Sequence, residues 1–413
     1  MKLLRADLVL TGRPGESIRQ GEVLVDGSQI VHVGIRGSAP DTPGAEVTEL
    51  PGCTLLPGLI DSHVHLGFDR TVSPVTRRSA ESDAHLLLRM VENCRKLLSA
   101  GVTTARDLGG RDFLEVGLRD AIESGLALGP HLVVATRPIT NTGGHCWYMG
   151  GEADSEEAIR RVARENLRAG ADCLKIMATG GGMTPVGAPT WKAQFTADQI
   201  RVAVMEAAMR GKTIAAHAHG TEGIARAAEA GVTTIEHCSF AGRQGFAGPA
   251  DVDMDVVASI ADRGIYVCPT LSGVVWKVRE AMGSGWLESR LSRLSLLREA
   301  GVRIVAGTDS GFMTRGGTEN RMDDYVSGLE VIAAAGWDTA AVIEAATVLA
   351  AAACGVGDVT GSLDPGRRAD LIAVAGNPLL SLDDLRQIRL VMVSGRLVTQ
   401  TGIETVASSG ARD

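Results

Sequence analysis

The sequence predicts an α/β protein: a (β/α)8 TIM-like barrel with a small β-sandwich domain formed from both termini. Three observations point there. Short alternating strands with turn signals fill residues 1–57 and recur near the other end, so neither piece has a core of its own. Between them, apolar strand-like runs alternate with helical stretches, the pattern of a parallel sheet. The first of those runs closes on two histidines, His63 and His65, at a strand end where such barrels carry their chemistry. The expected division is residues 1–57 and 358–413 for the two parts of the β-sandwich, and 58–357 for the barrel.

The elements follow in order. Residues 22–33 read as two strands joined at Asp26-Gly27, a dipeptide suited to a tight hairpin. The first barrel strand ends at His65. Further strands are expected at 102–108, 131–139, 173–179, 213–217, 233–237, 266–271 and 304–308. Helices are expected between them, for example at Glu156–Ala169 and 196–210. Strands at 369–374 and 390–398 complete the terminal domain. A chain of 413 residues suits one barrel with insertions.

Composition narrows the function. Hydrophobic residues make up 45% and charged residues 22%, as in a soluble enzyme with a large core. Aromatics at 3% are too few for a nucleic-acid stacking surface, and the net charge of −8 has no basic stripe. No nucleic-acid or membrane partner is expected. Seven cysteines, odd in number and without Cys-x-x-Cys, speak for a reducing compartment rather than a disulfide framework. The first residues lack a signal-type core and no run approaches a membrane span, so a cytoplasmic location is expected, as is a homo-oligomer. Gly180-Gly181-Gly182 follows a strand without the Lys-Ser/Thr of a phosphate loop and reads as a flexible turn.

The chemistry gathers at the strand tips. On a strand, residues i and i+2 share a face, so His63 and His65 can reach one point while Val64 turns away. Later strand ends carry Lys175, His217, His237 and Asp309. Four histidines, a lysine and an aspartate at matching positions of five strands point to a metal site. Any one of them alone reads as a satisfied core residue.

These residues, together with the closing segment Gly361-Ser362-Leu363-Asp364-Pro365-Gly366-Arg367-Arg368-Ala369-Asp370-Leu371, resemble the amidohydrolase superfamily of metal-dependent hydrolases along essentially the whole chain. The resemblance implies two divalent metal ions, zinc being the first expectation. His63, His65 and Asp309 would hold one and His217 and His237 the other, with Lys175 bridging them as an N-carboxylated lysine. It also implies attack by a bridging hydroxide on an amide carbon, with Asp309 as the proton shuttle. The cations beside it are expected to keep Asp309 ionised. Deaminases of the superfamily place a glutamate three residues after the fifth-strand histidine; Gly220 stands there instead.

Finer marks are Thr104-Ala105-Arg106-Asp107, Thr142-Gly143-Gly144-His145, Ala178-Thr179-Gly180-Gly181-Gly182 and Ala216-His217-Ala218-His219-Gly220. They resemble the branch of Xaa-Pro and Xaa-Arg dipeptidases and imidazolonepropionase-related enzymes. The implied substrate is a small amide, either a dipeptide or an N-acyl amino acid. The alternatives are an aryl urea, carbamate or ochratoxin-type amide, or a deaminase or cyclic-imide hydrolase. His145 is expected to donate to the substrate carbonyl, as both a catalytic and a binding residue. His219 is expected at the rim as a substrate contact, and Arg106 and Asp107 as an ion pair under the site. His32, His85 and His131 read as structural. Trp147, Tyr148 and Trp191 offer apolar walls, and Arg279, Arg315 and Arg321 are candidates for a substrate carboxylate.

Overall fold

The computed structural model describes residues 1–68, 81–184, 187–247, 250–314 and 317–398. Four strands open the chain: β1 (Lys2–Leu10), β2 (Ser17–Asp26), β3 (Gln29–Ile35) and β4 (Glu46–Pro57). The expected hairpin joins β2 to β3, with Asp26 opposite Gln29 and Gly27 in the left-handed region at φ +55°. A side chain there would be strained, which is why the turn falls on this glycine.

Eight parallel strands follow: β5 (Leu59–Val64), β6 (Val102–Asp107), β7 (His131–Val134), β8 (Cys173–Met177), β9 (Thr213–Ala218), β10 (Thr234–His237), β11 (Tyr266–Cys268) and β12 (Arg303–Ile304). The last three strands, β13 (Leu371–Ala375), β14 (Ile388–Val393) and β15 (Arg396–Val398), return to the first domain. β13 pairs antiparallel with β4, giving one seven-stranded sheet in the order β15-β14-β13-β4-β1-β2-β3. Its core mixes Leu4, Val9, Val23, Ile30 and Leu55 with Leu363, Leu371 and Met392 from the far end. Both ends of the chain therefore contribute to one apolar cluster.

The eight strands form two parallel arcs, β5-β6-β7 and β8-β9-β10-β11-β12. Isolated contacts join the arcs at both seams. Ile139 N donates to Lys175 O at 2.8 Å and Met177 N to Ile139 O at 2.8 Å. Opposite, Ser62 N donates to Ala306 O at 3.0 Å and Asp309 N to His63 O at 2.7 Å. The regular pairing is clearly shorter than the sequence suggests in three strands, 131–139, 266–271 and 304–308, and by two residues in 173–179. After β7 the backbone takes a left-handed turn at Thr136, φ 61°, and the chain rejoins the ring only at Ile139. Thr308 and Asp309 lie past the two-residue β12, and Asp309 is also left-handed at φ 52°.

The strands are buried on both faces, as their apolar sequences require. The helix Glu156–Ala169 forms where the sequence predicts it. Ser155 accepts from Ala158 N at its start and Gly170, φ 105°, ends it. The helix Ala197–Ala208 lies within the predicted 196–210 and starts on a reciprocal Thr196–Gln199 capping box. At the join between the domains, Gly58 is required: a Cβ there would lie 2.0 Å from Thr103 Oγ1. Among the described residues, no helix is long and apolar enough to cross a membrane.

Candidate metal centre

Six of the nine histidines converge at the C-terminal ends of the barrel strands. His63 and His65 leave the end of β5 on one face. Their Nε2 atoms are 3.4 Å apart, and each lies 3.5 Å from Asp309 Oδ1. Those three edges suit a small cation: ligand atoms held about 2.1 Å from a tetrahedral ion stand about 3.4 Å from one another.

The other ring nitrogens explain this aim. His63 Nδ1 lies 2.8 Å from Glu236 Oε2 and His65 Nδ1 3.1 Å from Gly109 O. Both acceptors fix the proton on Nδ1 and turn Nε2, the metal-ligand atom, toward Asp309. Beneath them Asp61 Oδ1 accepts from His63 N at 3.1 Å and Thr308 N at 3.0 Å, and Oδ2 accepts from Thr308 Oγ1 at 2.6 Å. Asp61 thus ties the β5 tip to the turn that presents Asp309. Full burial pushes its carboxyl up to about 7, against the opposing pull of those hydrogen bonds.

A second group of ligand-type atoms comes from His217, His219 and His237, all buried and within 4.8 Å of one another. His217 Nε2 donates to Gly180 O at 3.1 Å, leaving Nδ1 available. His237 Nδ1 lies 2.8 Å from Thr270 Oγ1, leaving Nε2. His237 and Thr270 both have left-handed backbones, φ 67° and 50°, as does Asp309. Such conformations cost stability and gather where a side chain must be held at an unusual angle.

Lys175 sits on β8 with 1% of its surface exposed, and its Nζ has no hydrogen-bond partner. Burial lowers its pKa, although Glu236 and Asp309 favour the charged form. An orphaned, buried amine whose pKa burial lowers suits reaction with carbon dioxide to a carbamate, which could accept metal ions on both oxygens. This lysine acts electrostatically on His63 and Asp309 of one ligand set and on His217 and His237 of the other, and the residues present fit two divalent ions.

His145 is buried, with its ring centroid 4.4 Å from that of His217 and its Nδ1 3.0 Å from Thr184 Oγ1. Gly181 makes room for it, since a Cβ there would lie 2.3 Å from the ring. Burial first, then Lys175, pushes His145 down to about 3, so it is neutral. His219 lies deeper than the rim expected for it. Its ring stacks on His237 at 4.4 Å, its Nδ1 meets Ser239 Oγ at 3.0 Å, and Phe246 approaches edge-on at 4.7 Å.

Arg106 pairs not with its neighbour Asp107 but with Glu236, at 3.0 Å, both fully buried. Adjacent strand residues face opposite ways, so a neighbouring pair could not form there. Glu236 is the site residue the sequence reading missed. Its signal was an isolated acid in the otherwise uncharged Thr233-Thr234-Ile235-Glu236-His237 run, a charge that burial tolerates only with a partner. Among the carboxylate candidates, Arg321 is bound to Asp323 at 2.6 and 2.8 Å, and Arg315 lies outside the described residues. Of the expected walls, Tyr148 packs beside Cys146 and Met149, while Trp147 is exposed and Trp191 stacks under Arg243.

Residues 54–398 match the model of the amidohydrolase family. The chain belongs to that family. It is a hydrolase acting on carbon–nitrogen bonds, in a family generally dependent on metal. This amidohydrolase is 28% identical to the ochratoxinase of Aspergillus niger over 97% of its own length and 87% of that protein. The A. niger ochratoxinase structure superposes with a TM-score of 0.83 at 26% identity, covering 99% of this chain and 98% of that one. A Xaa-Pro dipeptidase with methionine in its active site gives 0.82 at 26% identity, covering 96% and 99%. An imidazolonepropionase of Methylobacterium nodulans is 24% identical over 72% of this chain and 74% of its own.

Proposed function

We propose that this amidohydrolase hydrolyses the amide bond of a small substrate, a dipeptide or N-acyl amino acid, at a binuclear metal centre. The observation that carries this reading is the pair of imidazole-rich ligand sets around the partnerless Lys175 Nζ. His63, His65 and Asp309 would hold one ion, His217 and His237 the second, with carboxylated Lys175 shared between them. His219 is a further nitrogen within reach of the second set. The nitrogen-rich donors favour zinc. When bound, the ions supply a water acidified toward neutral pH and a Lewis acid for the scissile carbonyl.

The chain's own groups do the rest. Asp309 takes the proton of the attacking water and delivers it to the leaving nitrogen, so the amine departs neutral. Burial raises the Asp309 pKa, while Lys175 opposes that rise, so the protein itself makes this carboxylate a better proton holder than an exposed one. Thr184 Oγ1 accepts from Cys146 N at 2.9 Å and can place its own proton toward His145 Nδ1, leaving an N–H on Nε2. That N–H, 3.5 Å from Cys146 Sγ, turns to donate to the substrate oxygen as negative charge develops. Phe68, stacked on His65 at 4.5 Å, keeps water from that side of the ligands.

Similarity to an ochratoxinase supports a second substrate reading, an ochratoxin-type amide. The test is metal analysis followed by a product screen. Close to two divalent ions per chain and cleavage of an amide into acid and amine are expected. Full activity in metal-free protein would exclude the metal mechanism, and ammonia release without cleavage of the substrate's skeleton would mean a deaminase.

A further inference from the structure

A small apolar cluster lies apart from the main core, at the end of the barrel where the ligand-type side chains gather. Its buried members are Phe68, Cys146, Met149 and Met177. The chain brings them there together with the candidate centre: Phe68 follows His65 by three residues, Cys146 directly follows His145, and Met177 follows Lys175 by two.

Distances fix the cluster against the centre. The Phe68 ring stacks on His65 with centroids 4.5 Å apart. Met149 reaches the same imidazole across Gly109, where a Cβ would lie 3.0 Å from Met149 Sδ and 3.3 Å from His65 Cε1. Cys146 Sγ lies 3.5 Å from Nε2 of His145, the residue expected at the substrate carbonyl. Lys175 and Met177 share one face of β8, as residues i and i+2 of a strand do.

Three more side chains, Tyr148, Met183 and Phe312, pack on this cluster but stay half-buried. They stand on the loops after β7, β8 and β12, which rim the C-terminal end of the barrel, where loops of this fold contact substrate. Apolar side chains left partly in water beside a polar centre gain stability when an apolar group covers them. Ligand sites have this composition, an apolar wall with a few polar groups that fix orientation.

We propose that this cluster is the subsite for an apolar group flanking the scissile amide, with Tyr148, Met183 and Phe312 as the residues that select it. The assignment rests on the amide-hydrolase reading and narrows it to substrates with an apolar acyl or amine half. Methionine sulfur is polarisable and its side chain flexible, so the wall adapts to apolar groups of differing shape. A side chain bearing an amide would exchange water for carbon and sulfur there, a loss that no hydrogen bond of like strength repays.

The test reads binding, so it does not depend on turnover. The ligands are ketomethylene analogues, in which CH2 replaces the amide N–H and nothing can be hydrolysed. One series varies the amine half, leucine against the isosteric asparagine; the other varies the acyl half, isohexanoyl against succinamoyl. Isothermal titration of the metal-loaded enzyme should show the apolar member binding about tenfold or more tightly in at least one series, the low end of what an apolar pocket discriminates. The series that shows it identifies the half of the substrate that lies on the cluster. Met183→Ser and Phe312→Ser should each cut that ratio about fivefold or more through lost apolar contact. Met183→Leu and Phe312→Leu, which keep an apolar side chain, should hold it within about twofold. Equal metal content in all variants shows that the centre itself is unchanged. A preference that survives both serine substitutions overturns the proposal. So does the absence of a preference in both series, a result read on the parent protein alone, whatever the stability of the variants. Amide cleavage without any apolar preference would spare the reaction reading and remove the subsite; the preference and its loss without cleavage of any amide would do the reverse.

Discussion

Glu236 Oε2 meets His63 Nδ1 at 2.8 Å while Glu236 Oε1 meets Arg106 Nη2 at 3.0 Å, so one carboxylate joins a metal-ligand candidate on β5 to a buried cation on β6. Arg106 in turn donates to Ser62 O at 2.7 Å and to Ala353 O at 3.4 Å, anchoring the network to the strand tip and to the far end of the barrel. Arg106 and His63 together hold Glu236 well below the usual carboxylate range despite complete burial. The carboxylate is therefore anionic throughout the working pH range and keeps the His63 proton on Nδ1.

Glu236→Gln tests that role. The amide can still accept from His63, but it leaves Arg106 without its counter-charge in a fully buried place. Loss of one partner from such a pair costs about 3–5 kcal/mol of stability, and loss of a ligand's supporting acceptor weakens metal binding about 10–100-fold. Urea unfolding and chelator competition measure the two separately. Wild-type metal affinity in the folded variant would mean that Glu236 supports the fold alone.

Lys175→Ala should lose both metal and activity, because the bridge and its charge go together. Bicarbonate with a short-chain carboxylic acid is expected to restore part of both by occupying the vacated volume as a free bridging anion. Metal content and turnover are read on the same preparation. Normal values of both in the unrescued variant would mean that Lys175 is not the bridge.

Acid should destabilise the metal-free protein. Burial pushes His63 and His131 down to about 4 and His145 to about 3, and lowers His217, His219 and His237 well below 6.5. In each case the unfolded chain takes up a proton that the folded chain refuses. Stability from these groups is therefore present above about 6.5 and falls as pH drops toward 4, by up to about 1.4 kcal/mol per pH unit for each group. Asp61 and Asp309, raised by burial, act oppositely: their contribution is greatest in acid and is lost as pH rises through their folded values. Six histidines outweigh two carboxylates. The urea midpoint of chelated protein should fall markedly between pH 7 and pH 5, and an unchanged or rising midpoint contradicts the buried neutral cluster.

How far the site was legible depended on whether a residue's type was surprising in its place. His63, His65, Lys175, His217 and His237 were visible because polar, ligand-type residues end runs that otherwise read as buried strands. Glu236 and Arg106 carried the same signal, but their pairing spans 130 residues and follows only from how β6 and β10 face each other across the barrel. The short pairing of β12 was equally invisible, since 304–308 is as apolar as a longer strand and the left-handed backbone falls only at Asp309.

Asp309→Asn separates proton transfer from folding and metal binding. The substitution keeps the side chain's size and one oxygen that can face His63 and His65, both 3.5 Å from Oδ1 in the parent. Asn320 Nδ2 donates to the Asp309 carbonyl at 2.8 Å, and this backbone contact survives, so the turn should keep its shape. Asparagine cannot accept the proton of the attacking water, so the leaving nitrogen departs without its donor. A fall in kcat of about a hundredfold or more is expected, the scale of lost general acid–base help. The ion held by His217 and His237 should remain. The measurement is kcat of the purified, metal-loaded variant on an amide that the parent cleaves, with metal content determined in parallel. Turnover within about threefold of the parent, itself far smaller than the range that general acid–base help spans, would assign the proton to another group. His145 would be the first to examine, since its ring lies 4.4 Å from that of His217.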